Sequence, residues 1–389
     1  ATNEMRLKLL ATADIICTTL STSGSDLLVK TGLSFEVVII DEACQSTEPS
    51  SLIPLRYGCR HCILVGDPQQ LPATTISDAA GKKGLSVSLF ERLVNTGTKA
   101  HLLRTQYRMH PAIRTLPSAL FYNNSLLDGG SVERGKYCRI MHLQAMLGPL
   151  SFLNVTNGMA VPQSGGKGQG RSSLVNTAEV VVVQRLVEHI TKQLRDEIKT
   201  SKSGKDNLGT LAKLVEQIGI ITPYRGQKRR LKLGFGNTEH PDVNTVDGFQ
   251  GREKPIIIFS CVQAPRTAGK NDGSIGFLKD LRRLNVAISR AKYQLILIGH
   301  ADTLKKDEGW AKLILALEKL EVVYNVSSRN FANTLTHGPR REVGDVFKIF
   351  DELVRRDATS RSPTDAPKSK AATTAVAATA STAPSASSG

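Results

Sequence analysis

The sequence predicts an α/β protein of parallel sheets flanked by helices, and three observations carry that reading. Short β-branched runs alternate with polar turns and amphipathic stretches, which is how parallel strands joined by crossover helices are written. The runs are almost continuously apolar, as suits strands covered on both faces. At 389 residues the chain exceeds what a single hydrophobic core usually organises, so two domains are expected.

In chain order, the strand candidates include Asp14–Cys17, Glu36–Ile40, Cys62–Val65, Gln217–Ile221, Pro255–Ser260 and Gln294–Ile298. A helical stretch is expected from about Asn176 to Thr200. Between them, Asn157–Ser173 is rich in Gly, Gln and Ser and reads as a mobile surface loop. The expected divisions are 1–97 for a first domain, 98–330 for a second, 331–356 for a helical extension and 357–389 for a tail. From Asp357 onward Ala, Thr, Ser and Pro dominate and large apolar side chains almost vanish, so the tail is expected to be disordered.

The net charge of +16 and the pI near 9.7 favour a polyanionic partner. Charge alone does not separate nucleic acid from an anionic membrane surface. The chain has no apolar run of about 18 residues and no basic-then-apolar start, so neither insertion into a membrane nor secretion is supported. Six irregularly placed cysteines read as reduced, mostly buried side chains. Cys59 and Cys62 have a metal-like spacing, but a structural zinc wants four ligands and no second pair accompanies them.

Chemistry concentrates first at Val37-Val38-Ile39-Ile40-Asp41-Glu42-Ala43-Cys44-Gln45, an apolar strand delivering two carboxylates at its C-terminal end. Such ends are where α/β sheets build sites. One carboxylate there can hold Mg²⁺ while its neighbour orients or deprotonates an attacking water. A solvated strand end followed by a helix cap is the plainer alternative. Another strand ends in Gly66-Asp67-Pro68-Gln69-Gln70-Leu71-Pro72, which by itself is an ordinary turn. Two acid-bearing strand ends so close in sequence are hard to obtain from turn chemistry alone.

These two segments resemble motifs II and III of superfamily-1 helicases, and the rest of the series follows in order. Gln106-Tyr107-Arg108-Met109-His110-Pro111 is similar to motif IV, and Ile221-Thr222-Pro223-Tyr224-Arg225-Gly226-Gln227 to motif IVa. Asn244-Thr245-Val246-Asp247-Gly248-Phe249-Gln250-Gly251-Arg252-Glu253 resembles motif V, and Leu284-Asn285-Val286-Ala287-Ile288-Ser289-Arg290-Ala291-Lys292 motif VI. The wording is similar to the branch holding the nonsense-mediated-decay and senataxin-like helicases. Ser51–Gly58 and Ile275-Gly276-Phe277-Leu278 tilt it toward the senataxin-like members.

The resemblance implies tandem RecA-like domains of the P-loop NTPase class, the first incomplete, with ATP and Mg²⁺ as cofactors. It implies that Asp41 coordinates Mg²⁺, Glu42 activates water and Gln70 senses the γ-phosphate. Arg108 and Arg290 are implied to neutralise the transferring phosphoryl group, a task suited to a planar, permanently charged fork. Tyr107 is implied to stack on adenine and Glu253 to hold the ribose. Taken singly, each of these side chains would default to packing, solvent or a salt bridge. Thr18, Thr19 and Ser21, then Thr222, Pro223 and Tyr224, then Thr245 are the implied nucleic-acid contacts, meeting phosphates without reading sequence. Lys228, Arg229, Arg230 and Lys232 form a basic cluster that is either a further contact or a solvated helix face.

The chain departs from the family in lacking the phosphate-cradling Gly-x-x-x-x-Gly-Lys-Ser/Thr. None of its Gly-Lys pairs has the required spacing after a strand. A truncated sequence is the simplest account, and loss of the loop is the alternative. By itself the 389-residue chain is expected to bind ATP weakly and not to turn it over. The expected function is an ATP-dependent, 5′-to-3′ helicase or translocase core on single-stranded RNA or DNA, RNA:DNA hybrids or duplexes. The alternative is a non-catalytic nucleic-acid-binding scaffold. A monomer is expected, with no membrane association. A nuclear location, with the cytoplasm as alternative, and a part in RNA-processing or transcription complexes rest on the resemblance alone.

Overall fold

A computed structural model describes residues 2–132, 147–163, 173–200, 215–236, 240–266, 275–337 and 376–381. It divides into two compact units. One comprises Ala1–Leu103 together with a strand at Val376–Ser381, and the other begins at Arg104.

In the first unit, β1 (Val37–Ile40) and β2 (His61–Leu64) pair in parallel, with Ile40 opposite Leu64. Ile40, Leu64, Ala43 and Cys44 bury one face against Leu89 and Phe90 of helix α1 (Leu89–Asn95), which Ser88 caps. The other face differs from the expectation of strands covered on both sides. Val37 is 52% exposed and Ile39 66%, because no described helix packs over the alternate side chains of β1. The strand expected at Asp14–Cys17 does not form either. These residues are irregular and no described segment pairs with them.

The second unit is built on a six-stranded sheet, entirely parallel. Its strands are β6 (Leu150–Val155), β9 (Ile218–Thr222), β10 (Asp242–Thr245), β11 (Lys254–Ser260), β12 (Ala291–Gly299) and β13 (Val323–Val326), in the order β10-β9-β11-β12-β6-β13. The runs at 218–222, 254–260 and 291–299 lie close to their expected positions. β6, β10 and β13 were not expected, since Leu-Ser-Phe-Leu-Asn-Val and Asp-Val-Asn-Thr carry polar residues that dilute the apolar signal.

Helices cover both faces of this sheet. Ile218, Ile220, Ile256 and Ile258 meet Val180, Val183, Leu186, Val187 and Ile190 of the long helix α3 (Thr177–Thr200). Phe259 points the other way, by the alternation of a strand, and stacks on Trp310 of α6 (Glu308–Lys319) with ring centroids 6.3 Å apart. Both aromatic rings are essentially buried.

Smaller strands complete the pattern: β3 (His101–Leu102) in the first unit, and in the second β4 (Thr105–Gln106) with β5 (Leu127–Asp128), and β7 (Val161–Gln163) with β8 (Ser173–Val175). The expected mobile loop at Asn157–Ser173 is therefore tied at both ends by an antiparallel ladder, while 164–172 lie outside the described residues. Of the expected extension at 331–356, Phe331–His337 is helical and buries Phe331 and Leu335, and the remainder lies outside the described residues. Most of the expected tail also lies outside them. Its described part, Val376–Ser381, forms strand β14, antiparallel to β2 and β3. Small, β-tolerant residues there meet the open edge of β2, whose backbone groups otherwise lack a ladder.

Candidate functional site

In the first unit the parallel pairing of β1 and β2 brings the two acidic strand ends together. The Ala43 N–H donates to Val65 O at 2.8 Å, so the chain turns out of both strands side by side. Gly66 is needed at this approach, because a Cβ there would stand 2.9 Å from the backbone nitrogen of Cys44. Asp41 and Glu42 are both exposed. Asp41 Oδ1 accepts the Glu42 N–H at 2.9 Å, and Glu42 occupies the left-handed region at φ 52°. A non-glycine residue in that region is uncommon and marks a turn that aims a side chain. Gln45 donates to Glu42 Oε2 at 2.6 Å and fixes the carboxylate's direction.

Asp67 organises the second turn. Its carboxylate accepts the Gln69 N–H at 2.9 Å and the Gln70 side-chain amide at 2.8 Å. Gln70 is thus aimed by its neighbour rather than by a helix or strand. Thr19 caps a short helix at Leu20–Ser23, accepting the Thr22 N–H at 3.2 Å, and Thr18 and Ser21 are near it in sequence. Thr18 and Thr19 are exposed.

In the second unit three segments far apart in sequence converge at the N-terminal ends of β11 and β12. Gln106 builds the first, accepting the N–H groups of Arg108 and Met109 at 2.9 and 2.7 Å and donating to Asp128 Oδ1 at 2.6 Å. The His110 N–H then donates to Lys292 O at 2.7 Å, which pins this segment to β12. Arg108 donates to Glu253 Oε2 at 2.7 Å and to Ser289 O at 3.2 Å. Lys292 stands 2.5 Å from the other oxygen of Glu253. The hydrogen bond from Lys292, together with that from Arg108, holds the Glu253 carboxyl below its ordinary range despite partial burial. Arg290 is buried, donating to Val286 O and Ser289 Oγ at 3.1 Å each. Tyr107 is 67% exposed, its ring lying over Gly129, where any side chain would collide with it.

The remaining expected residues gather at the opposite end of the same sheet, on the order of 20 Å away along β11. Thr222 and Thr245 are register partners at the C-terminal ends of β9 and β10. Tyr224, implied as a nucleic-acid contact, is buried, with its ring packed among Leu174 and Val262. Its hydroxyl accepts from Gln263 Nε2, so its size and its polar tip are both absorbed by the interior. The Thr222 side chain is also fully buried. Among the described residues, the exposed aromatic at this end is Phe277, which was quoted only for its motif wording.

The basic cluster resolves into two parts. Lys228 donates to Asn244 Oδ1 at 2.6 Å, beside Thr245, and burial and the neighbouring Lys232, Arg225 and Arg252 charges depress its ammonium. Arg229 and Arg230 face solvent. Sequence reasoning missed the roles of Asp67, Gln106 and Lys292, although all three lie inside the quoted motifs. Among the described residues no group of three or more His, Cys, Asp or Glu could hold a metal. Burial pushes the Cys62 thiol up to about 11, away from the thiolate that zinc needs. Asp41 supplies the hard oxygen that suits Mg²⁺, which is usually held by one or two carboxylates and substrate phosphates.

Comparison with known proteins bears on the family. Two family models, each described as an AAA domain, match residues 1–78 and 85–302. The chain is 42% identical over 84% of its length to "Probable helicase MAGATAMA 3" of Arabidopsis thaliana, covering 37% of that protein. It is 41% identical over 79% of its length to "Helicase SEN1" of Saccharomyces cerevisiae, covering 13% of it. The chain belongs to the superfamily-1 helicases. Its branch also holds the "Regulator of nonsense transcripts 1 homolog" of Drosophila melanogaster, 36% identical over 85% of this chain and 26% of that one. This chain spans well under half the length of the curated relatives it matches. Among the described residues, no helix is long and apolar enough to cross a membrane.

Proposed function

We propose that this chain carries the core of an ATP-driven motor that moves along single-stranded RNA or DNA. One observation carries the proposal: Arg108, Glu253 and the Ser289–Arg290 pair, from three separated segments, meet in one place. An arginine folded against a carboxylate and bonded to the segment that carries a second arginine is what an incoming polyphosphate would reorganise.

In this reading Asp41 holds Mg²⁺, Glu42 takes the proton of the attacking water and Gln70 reports the γ-phosphate. Arg108 and Arg290 neutralise the phosphoryl group in transfer, Tyr107 stacks on adenine, and Glu253 leaves Arg108 for the ribose. Bound Mg²⁺ would supply charge neutralisation between the phosphates. Thr18, Thr19 and Ser21, and separately Thr222, Pro223, Tyr224 and Thr245, are the contacts to nucleic acid. For Tyr224 that role is through the backbone it fixes, given its buried ring. A nuclear, senataxin-like role in RNA processing or transcription, performed as a monomer, fits the sequence wording quoted above.

The test is strand-stimulated ATP hydrolysis by this chain joined downstream of a relative's Gly-x-x-x-x-Gly-Lys-Ser/Thr segment. Hydrolysis that rises with added single strand supports the motor. Strand binding with no hydrolysis in the joined protein favours the scaffold alternative.

A further inference from the structure

Phe277 is 53% exposed, although the residues on either side of it are firmly held. Before it, Gly276 adopts φ +51°, and a Cβ there would stand 2.9 Å from Tyr224 Oη and 2.7 Å from Gln263 Nε2. After it, the buried Leu278 accepts the Trp310 indole N–H through its carbonyl at 2.9 Å. The chain is thus fixed immediately before and after the phenylalanine while its ring is left in solvent. Tyr224 sets the ring's orientation edge-on, with centroids 5.8 Å apart and planes at 68°.

The surroundings say what the ring faces. It stands beside Tyr224, two residues beyond Thr222, at the end of the sheet where Thr222 and Thr245 lie side by side. Two buried polar atoms in this region, Thr222 Oγ1 and Gln263 Oε1, have no hydrogen-bond partner among the described residues. Reversing the Gln263 amide moves the unpartnered atom from oxygen to nitrogen without removing it. Buried polar atoms left without partners call for a water or a ligand to supply them. Lys228 and Arg225 place positive charge on the helix that starts at this strand end, Arg225–Phe235.

We infer that Phe277 is a stacking platform for an unpaired base of the bound strand, with Tyr224 and Gly276 as the residues that position it. The inference rests on the nucleic-acid reading above. An aromatic face accepts any base, so the contact is indifferent to sequence, and Tyr224 acts from beneath without touching the strand.

The test is binding of labelled 12-nucleotide single-stranded RNA and DNA to the 389-residue chain by fluorescence anisotropy. Phe277→Ala is expected to weaken binding about tenfold or more. Phe277→Leu, which keeps apolar bulk without a π-face, is expected to stay weak, whereas Phe277→Tyr and Phe277→Trp recover the parent affinity to within about twofold, as sequence-tolerant aromatic stacking requires. The Leu and Tyr variants decide the matter even where the Ala variant folds poorly. Parent-like binding by Phe277→Leu overturns the stacking role while leaving strand binding intact. A parent chain that binds neither RNA nor DNA overturns the nucleic-acid reading, and the stacking role with it.

Discussion

Arg108 and Glu253 lie 145 residues apart in the chain, and their side chains meet at 2.7 Å. Lys292 shares the same carboxylate from 2.5 Å. Glu253→Ala is expected to release both cations and remove the proposed ribose contact. ATP affinity should fall by roughly tenfold, the scale of one charged hydrogen bond, in a titration with fluorescent ATP. The depressed Glu253 carboxyl gives the cluster a definite pH sense. Its stabilisation is present above the unfolded carboxyl's value near 4.5 and is lost as pH falls through the lower folded value.

Removing either arginine is expected to separate chemistry from binding. In the protein completed with a phosphate loop, Arg108→Ala and Arg290→Ala should lower ATP turnover by about 10³-fold or more. Strand affinity should change little, because the proposed strand contacts of this unit lie at the other end of its sheet. Turnover and anisotropy measured on the same preparations check both statements.

Glu179 predicts a pH dependence of the opposite sense. It is fully buried, and burial pushes its carboxyl up to about 8, against the pull of hydrogen bonds from Ser260, the Val262 N–H and Asn176. A raised folded value means that stability is full below the unfolded value near 4.5 and declines as pH rises toward about 8. Thermal melts from pH 5 to pH 9 should therefore show falling stability. Glu179→Gln, which cannot ionise, should flatten that slope.

Trp310 closes one face of the parallel sheet against Phe259 and donates its indole N–H to Leu278 O. Trp310→Ala is expected to cost about 3–5 kcal/mol in denaturant unfolding, the range for deleting a fully buried large aromatic. Because Leu278 is one of the anchors of Phe277, the same variant should also weaken strand binding.

The sequence makes legible whatever depends on strong local patterning. Ile256–Phe259 and Leu295–Ile298 declare themselves as buried strands, and Asp41 and Glu42 stand out as two adjacent acids closing an apolar strand. β6 escapes because Ser151 and Asn154 interrupt its apolar run, and its place beside β12 is a tertiary fact. The motif wording pointed to Arg108 and Arg290, but not that Glu253 and Lys292 form an ion cluster with Arg108, since pairing across 145 residues leaves no local trace. The burial of Tyr224 leaves no local trace for the same reason. Only the fold brings Gln263 and Gly276 over its hydroxyl.

The most direct test of the motor is the effect of Glu42→Gln on ATP turnover in the protein completed with a phosphate loop. If Glu42 activates the attacking water, turnover should fall by about 10²-fold or more while strand binding is unchanged. Turnover equal to that of the parent protein would contradict the account, because the carboxylate aimed by Gln45 at the end of β1 would then have no part in the chemistry.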